Sequence, residues 1–244
     1  MPKHNGFDPL VQPNTQDPFR ESLRTWTRMV FQFTERDLTI ATDRLPAMSG
    51  LIAYFKRRLA WTNVSGLWKE HLPKELLWSV PSSDNKSDRP DNNAPTWSWI
   101  SVKSRVGYSR DPLLETQELF ANIQFDELNP SVINVHGPLL GFKPTNLGEA
   151  GSRFVLPIIS PGTRTPRNVK VAWDTIETHF ASLFFAPLLW TTDAVDGSLE
   201  GLCIVPDDFV PSTYQRCGYI NLLVPKDLSG SSPYLERKEE FRIV

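Results

Sequence analysis

The sequence predicts an α+β protein. N-terminal amphipathic helices pack on a tryptophan-rich segment, and an antiparallel β-rich part of barrel-like or sandwich-like type follows. Three observations predict it. Apolar residues recur at steps of three and four from Phe19 to Leu59, the spacing of one helix face. Six of the eight tryptophans lie between Trp26 and Trp99. Beyond Arg110 the helical period gives way to short apolar or alternating runs punctuated by Gly, Pro, Asn and Asp, as in an antiparallel sheet.

Residues 1–16 hold Pro2, Pro9 and Pro13 with no period and are expected as a flexible tail. Asp17 and Pro18 read as an N-cap followed by proline at the first helical position. Phe19, Leu23, Trp26, Val30 and Phe33 then mark one face, and Arg20, Arg24 and Arg28 a solvated basic stripe on another. After a polar break at residues 34–37, Thr42 and Asp43 are placed to cap a second helix. Its face is Leu45, Met48, Ile52, Phe55 and Leu59. Pro46 fits only the first turn, which starts this helix near Asp43 or Arg44. Lys56, Arg57 and Arg58 suit its carbonyl end.

The aromatic segment follows, with one helical turn expected at residues 69–72 and a short strand at 76–80. Residues 81–93 are Ser, Asp, Asn and Pro with almost nothing apolar, a surface loop. Residues 94–102 read as a strand entered at Pro95. It would set Trp97 and Trp99 on one face, with Ser98 and Ile100 on the other. With Trp68 and Trp78 these two form the candidate seam, core or interaction surface, between a helical, Trp-rich part (residues 17–110) and a β-rich part (residues 111–244). The two parts are taken as one continuous unit. An alternating run from Leu119 to Phe125 opens the β-rich part, with a bulge expected at residues 136–138. Further strands are expected at 132–140, 154–159, 169–173, 182–190, 199–205 and 214–224, the last kinked at Gly218. No internal repeat is apparent.

At 244 residues the chain can bury a substantial core. Its net charge of -2 gives no basic field for nucleic acid. Residues 1–110 carry 16 Lys+Arg against 11 Asp+Glu, and the remainder 10 against 17, a modest asymmetry of solvated surfaces. Cys203 and Cys217 approach each other only if their strands pair, and no disulfide framework is implied. No apolar run reaches membrane-spanning length and no signal-peptide pattern opens the chain, so a cytoplasmic protein is expected.

Catalytic signatures are missing. The chain has no nucleophile elbow, phosphate loop or His-Glu-x-x-His. His4 lies in the tail, and His71, His136 and His179 stand without a second ligand at metal spacing, so no metal or cofactor is predicted. Asp207-Asp208 and Glu239-Glu240 are adjacent pairs that cannot flank one substrate bond from a strand; they read as a turn and a tail. Cys217 beside Arg216 is either a thiol of lowered pKa or a small buried hydrophobe, and its strand context favours the second.

Several segments together resemble a known family. These are Trp26 with Val30, Glu35-Arg36-Asp37-Leu38-Thr39 and the run from Asp43 to Leu51, then Gly66-Leu67-Trp68-Lys69-Glu70, Leu76-Leu77-Trp78 and the run from Ala94 to Val102. In that order and spacing they resemble fungal heterokaryon-incompatibility (HET) proteins in the region after the HET domain. Tyr214-Gln215-Arg216-Cys217-Gly218-Tyr219 is similar to a Tyr-x-Arg-x-Gly element late in such chains. The Leu-Ser-Tyr-x-Trp-Gly-like strand and the Trp-x-Asp…Cys-Ile-x-Gln-like segment of the HET domain do not occur here. The family's cell-death activity belongs to that part, so no family site residue carries over. The resemblance implies a non-enzymatic accessory, regulatory or interaction module of self/non-self recognition, as a truncated gene product or a stand-alone form. Its aromatic front would pack on a HET domain in cis or in trans. The alternative is a carbohydrate-binding β-sandwich that stacks sugars on Trp173, Trp190 or the Trp97/Trp99 pair. A third reading is a hydrolase with an unrecognised site.

Overall fold

The structure is a computed structural model that describes residues 18–36, 38, 40–81, 89–90, 93–108, 116–144, 154–156, 167–169, 171–175, 180, 182–192, 197–224 and 233–244. The expected tail, most of the loop at 81–93, His4 and His179 lie outside the described residues.

Helix α1 (Pro18–Thr34) buries Leu23, Trp26 and Val30 of its expected face. The Thr34 hydroxyl closes its end. It donates to the Val30 carbonyl oxygen at 2.8 Å and accepts from the Val106 N–H at 2.9 Å, which ties the helix to the aromatic segment. Helix α2 (Arg44–Leu59) starts where Pro46 requires, and buries Met48 and Phe55. Asp43 makes no side-chain capping bond. A 3₁₀ turn over Ala41–Asp43 leads into the helix instead. Ala60, at φ 56°, ends it, and the Ala60 N–H donates to the Lys56 carbonyl oxygen.

The aromatic segment is built from small pieces. Strands β1 (Asn63–Val64) and β2 (Leu67–Trp68) form a hairpin through Gly66, whose φ is 85°. The 3₁₀ turns Lys69–His71 and Lys74–Leu76 follow, and β3 (Trp78–Ser79) pairs with β4 (Gly107–Tyr108). Residues 94–102 are not a strand. They form a turn and a 3₁₀ helix over Trp99–Ser101, with Ser98 as its cap, the Ser98 hydroxyl accepting from the Ile100 N–H. The physical reason is the buried indole N–H groups, which need acceptors in different elements. Trp97 donates to the Ser131 carbonyl oxygen at 3.0 Å, and Trp99 to that of Gly66 at 2.9 Å. One flat strand face could not reach both.

The β-rich part supplies β5 (Thr116–Leu119), β6 (Asn122–Phe125), β7 (Ile133–Gly137), β8 (Leu140–Pro144), β9 (Phe154–Leu156), β10 (Arg167–Val169), β11 (Val171–Trp173), β12 (Leu183–Thr192), β13 (Gly197–Pro206) and β14 (Thr213–Val224). A short helix α3 (Pro233–Glu236) and β15 (Glu239–Ile243) end it. The chain is α+β, and the sheet is mostly antiparallel in the order β10-β9-β8-β12-β13-β14-β15-β7-β6. The single parallel pair described is β14 with β15. The barrel does not close, because the long central strands branch. β12 pairs with β8 at its start and β5 at its end, and β14 pairs with β15 at its start and β11 further along.

Strand β13 is buried along Gly197–Ile204 because both sheet faces are covered. Leu202, Ile204 and Tyr219 join a core with both helices and the aromatic segment; Leu199, Cys203, Ile220 and Leu222 join a second core with Trp173 and Trp190. The first core contains residues from both predicted parts, so one hydrophobic interior crosses that boundary. Three further expectations are corrected. The run from Leu119 to Phe125 is two strands, since Phe120 and Ala121 turn inward between β5 and β6. Residues 136–138 do not bulge: β7 ends at Gly137, and the chain leaves for β8, which pairs with other strands. Glu239 and Glu240 lie in β15, not in a tail.

Two hairpin turns share one design that the sequence does not make apparent. The hairpin turns after β6 and β13 are built alike. Asp126 and Asp207 each accept from two backbone N–H groups: Leu128 and Asn129 in the first turn, Phe209 and Val210 in the second. The other carboxylate oxygen accepts from Asn134 at 3.4 Å and from Gln215 at 3.1 Å. Pro130-Ser131 and Pro211-Ser212 then match, as do Gly137 and Gly218. Leu128 and Phe209 project from equivalent positions, 97% and 91% exposed. The likeness of the two turns is hidden in the sequence because only six spaced positions carry it. Among the described residues no helix is long and apolar enough to cross a membrane.

Candidate functional site

The four seam tryptophans, Trp68, Trp78, Trp97 and Trp99, are completely buried. Trp68 belongs to the helical side, packing edge-on against Trp26 at 5.1 Å and tilted against Phe55. Trp78 donates its indole N–H to the Trp97 carbonyl oxygen at 2.9 Å. Trp97 packs on Phe125 of β6, and Trp99 on Phe33 of α1, so neighbouring tryptophans reach opposite parts of the molecule. The seam is thus an internal clamp.

Its centre is Arg216, which the sequence places beside Cys217 and in the Tyr-x-Arg-x-Gly element without pointing to a buried role. Arg216 is 1% exposed, and each of its three guanidinium nitrogens has an acceptor. Its Nε and Nη2 donate to the Asp174 carboxylate at 2.9 and 3.3 Å. Nη1 donates to the Leu76 carbonyl oxygen and Nη2 to that of Trp78, each at 2.5 Å. The guanidinium lies 3.4 Å from the centroid of the Trp78 ring. The Arg216 N–H donates to the Thr96 hydroxyl, which donates to the Val244 carbonyl oxygen. The side chain of this one β14 residue therefore holds Asp174 at the end of β11, the 3₁₀ turn Lys74–Leu76 and β3, and its backbone N–H reaches the C-terminus through Thr96. A buried charge requires this many partners.

Arg89 corrects the surface reading of residues 81–93. Its side chain is only 24% exposed and points back into the clamp. It donates to Asp174 at 3.4 Å, to the Arg216 carbonyl oxygen at 2.5 Å and to the Ser101 hydroxyl. Two guanidinium groups thus share the buried Asp174 carboxylate. Sequence gave one usable signal for this cluster: an arginine amid apolar neighbours in a long strand needs an acid. It could not say which acid.

Two other carboxyl groups are buried among the described residues. Glu75, 1% exposed, accepts from the Trp68 N–H at 3.1 Å. Burial pushes its pKa up to about 8; the Trp68 N–H and the nearby Trp26 indole oppose that shift. The Trp26 indole N–H itself closes no hydrogen bond. Glu200 accepts from the Tyr219 hydroxyl at 2.6 Å and from Thr191 at 3.4 Å.

The remaining candidates fall as follows. Cys203 and Cys217 are buried free thiols on paired strands, with Cys217 Sγ 3.3 Å from the Cys203 carbonyl oxygen. Burial pushes the Cys203 thiol well up. Cys217 is the extra residue of a bulge, since Cys203 faces Gly218 while Ile204 faces Arg216. His71 packs edge-on against Trp61 at 4.2 Å; burial lowers its pKa, Glu70 opposes, and Lys74 adds to the lowering. Trp173 and Trp190, proposed as sugar platforms, are 8% and 2% exposed, and neither presents a ring face to solvent. Asp207-Asp208 is the turn expected.

A polar groove of about 490 Å³ lies on the outer face of β6, β7 and β15. Register aligns two rows across it, Asn122–His136–Glu240 and Gln124–Asn134–Arg242. His136 is exposed there with one carboxylate neighbour and no nucleophile in the row. Among the described residues no group of three or more His, Cys, Asp or Glu side chains could hold a metal ion. Comparison with family models, with curated proteins and with solved structures gives no match.

Proposed function

We propose that the chain is a non-enzymatic interaction module, and that the interaction it serves is that of a HET-type self/non-self recognition protein. The observation that carries the first half is the use made of the buried reactive groups. Arg216, Asp174, Glu200, Glu75 and the two thiols all contact the protein's own interior. These groups build a rigid scaffold rather than converge on a cleft. The second half is carried by the ordered resemblance, whose Tyr-x-Arg-x-Gly element includes the clamp residue Arg216. The seam tryptophans stabilise the module from inside; docking onto a HET domain uses other surfaces.

The test is sedimentation of the purified chain with purified HET domains. The expected result is a 1:1 complex with at least one of them. Failure with every domain tried, together with turnover in a hydrolase screen, would overturn the proposal.

A further inference from the structure

We propose that the outer edge of β6 is a strand-addition site for an extended, basic segment of a partner protein, in which apolar and cationic residues alternate. This rests on the reading of the chain as an interaction module and names the surface it uses.

Strand β6 ends the sheet path, and among the described residues it pairs only with β7. The direction of its free groups follows from the register. The Asp126 N–H donates to the Val132 carbonyl oxygen at 2.9 Å, so that pair is hydrogen-bonded. Hydrogen-bonded pairs alternate in an antiparallel ladder, which turns Gln124 and Asn122 towards β7. The N–H and C=O groups of Ile123 and Phe125 therefore point outward, ready for another strand.

At four residues the edge is short, but it lacks the other usual protection. Asn122-Ile123-Gln124-Phe125 contains no lysine, proline or glycine, and the β6–β7 register has no bulge. Its apolar row is also incomplete. Ile133 and Val135 of β7 are buried, whereas Ile123 and Phe125 opposite them remain half-buried. One more strand would cover both.

Charge decides the occupant. From Thr116 to Phe142 the chain holds Glu118, Asp126 and Glu127 and not one lysine or arginine; Arg242, two strands in from the edge, is matched by Glu240 on the same strand, so the balance stays acidic. A second copy pairing edge to edge would bring two such acidic stretches together, which like-charge repulsion opposes. A partner strand with apolar residues against Ile123 and Phe125 and lysine or arginine on its other face satisfies both the apolar row and the field. The exposed Asn122 and Gln124 side chains extend the polar rows to meet that face.

The experiment uses the full chain and a nine-residue peptide of alternating valine and lysine, with the valine–glutamate peptide as control. The readouts are amide hydrogen exchange and fluorescence anisotropy. The Ile123 and Phe125 amides are expected to exchange fast in the free chain and to slow at least tenfold with the lysine peptide alone. Salt should weaken binding. Gln124→Lys, an exposed change that leaves the fold intact, should weaken it at least tenfold; Ile123→Pro, which deletes an outward donor, should abolish it. Protection of these amides in the free chain, equal binding of both peptides, or a dimer that Ile123→Pro dissolves would each overturn the proposal. The outcomes also separate the two readings. A HET domain that binds and leaves the β6 amides unprotected refutes this site alone. Peptide binding at β6 with no HET domain bound refutes the HET assignment alone.

Discussion

The Arg216 guanidinium lies 3.4 Å from the Trp78 ring centroid and donates through Nη2 to the Trp78 carbonyl oxygen, so one residue pair joins sheet to aromatic segment twice. The geometry ranks the residues around it. Asp174 is the sole described carboxylate for two guanidinium groups, and both of its salt bridges converge on Oδ2.

Asp174→Ala should therefore be the more damaging change in the clamp. It strands buried positive charge and should cost roughly 3–5 kcal/mol by urea unfolding. Arg216→Met leaves Asp174 its Arg89 partner and fills similar volume, yet strips donors from the Leu76 and Trp78 carbonyl oxygens. The double variant should be more stable than the sum of the single losses predicts, by about 1 kcal/mol or more. Additive losses would mean the pair is not coupled.

Glu75 gives a pH dependence with a definite sign. Its folded pKa of about 8 lies above the ordinary value of 4.5, so the folded state holds the proton that the unfolded state releases. Stability from this group is complete below about pH 4.5 and is lost as pH rises to about 8, with a slope up to roughly 1.4 kcal/mol per pH unit. Glu75→Gln keeps an acceptor for the Trp68 N–H and removes the titration. The difference between the two proteins in urea midpoint should widen steadily across that window. A constant difference would place the carboxyl in water.

The repeated turns should titrate as a pair. Two backbone N–H groups and one side-chain amide hold each of Asp126 and Asp207 below the usual 3.8. Carboxyl carbon NMR should show both ionising below ordinary aspartates, so their contribution to stability persists above pH 3.8 and disappears as pH falls through the lowered values. One normal and one lowered value would break the equivalence of the two turns.

Gly66→Ala tests how tightly the seam is packed. The backbone there has φ 85°, and an added Cβ would sit 2.9 Å from Cε2 of Trp99. The left-handed conformation and the contact together should cost on the order of 2 kcal/mol. The near-ultraviolet circular dichroism of the tryptophans should change with it. A variant of wild-type stability would show that the Trp99 ring has room to shift.

The helices were legible from the chain alone because their faces repeat at the helical period, and Leu23, Trp26, Val30, Met48 and Phe55 are buried as that period requires. The long strands β12, β13 and β14 were legible as apolar runs, since covering both faces removes the need for alternation. Residues 94–102 were not legible as a turn, because the acceptors for Trp97 and Trp99 lie in Ser131 and Gly66, distant in sequence.

Local periodicity thus determined which residues form elements and which of them are apolar. Tertiary structure alone decided which polar residues meet. Arg216 finds Asp174 across 42 positions and Arg89 across 127, and Glu75 is raised by burial that its own neighbours do not foretell. A charge can enter a core only where several strands and turns close around it at once. Nothing in the spacing of one strand records that closure.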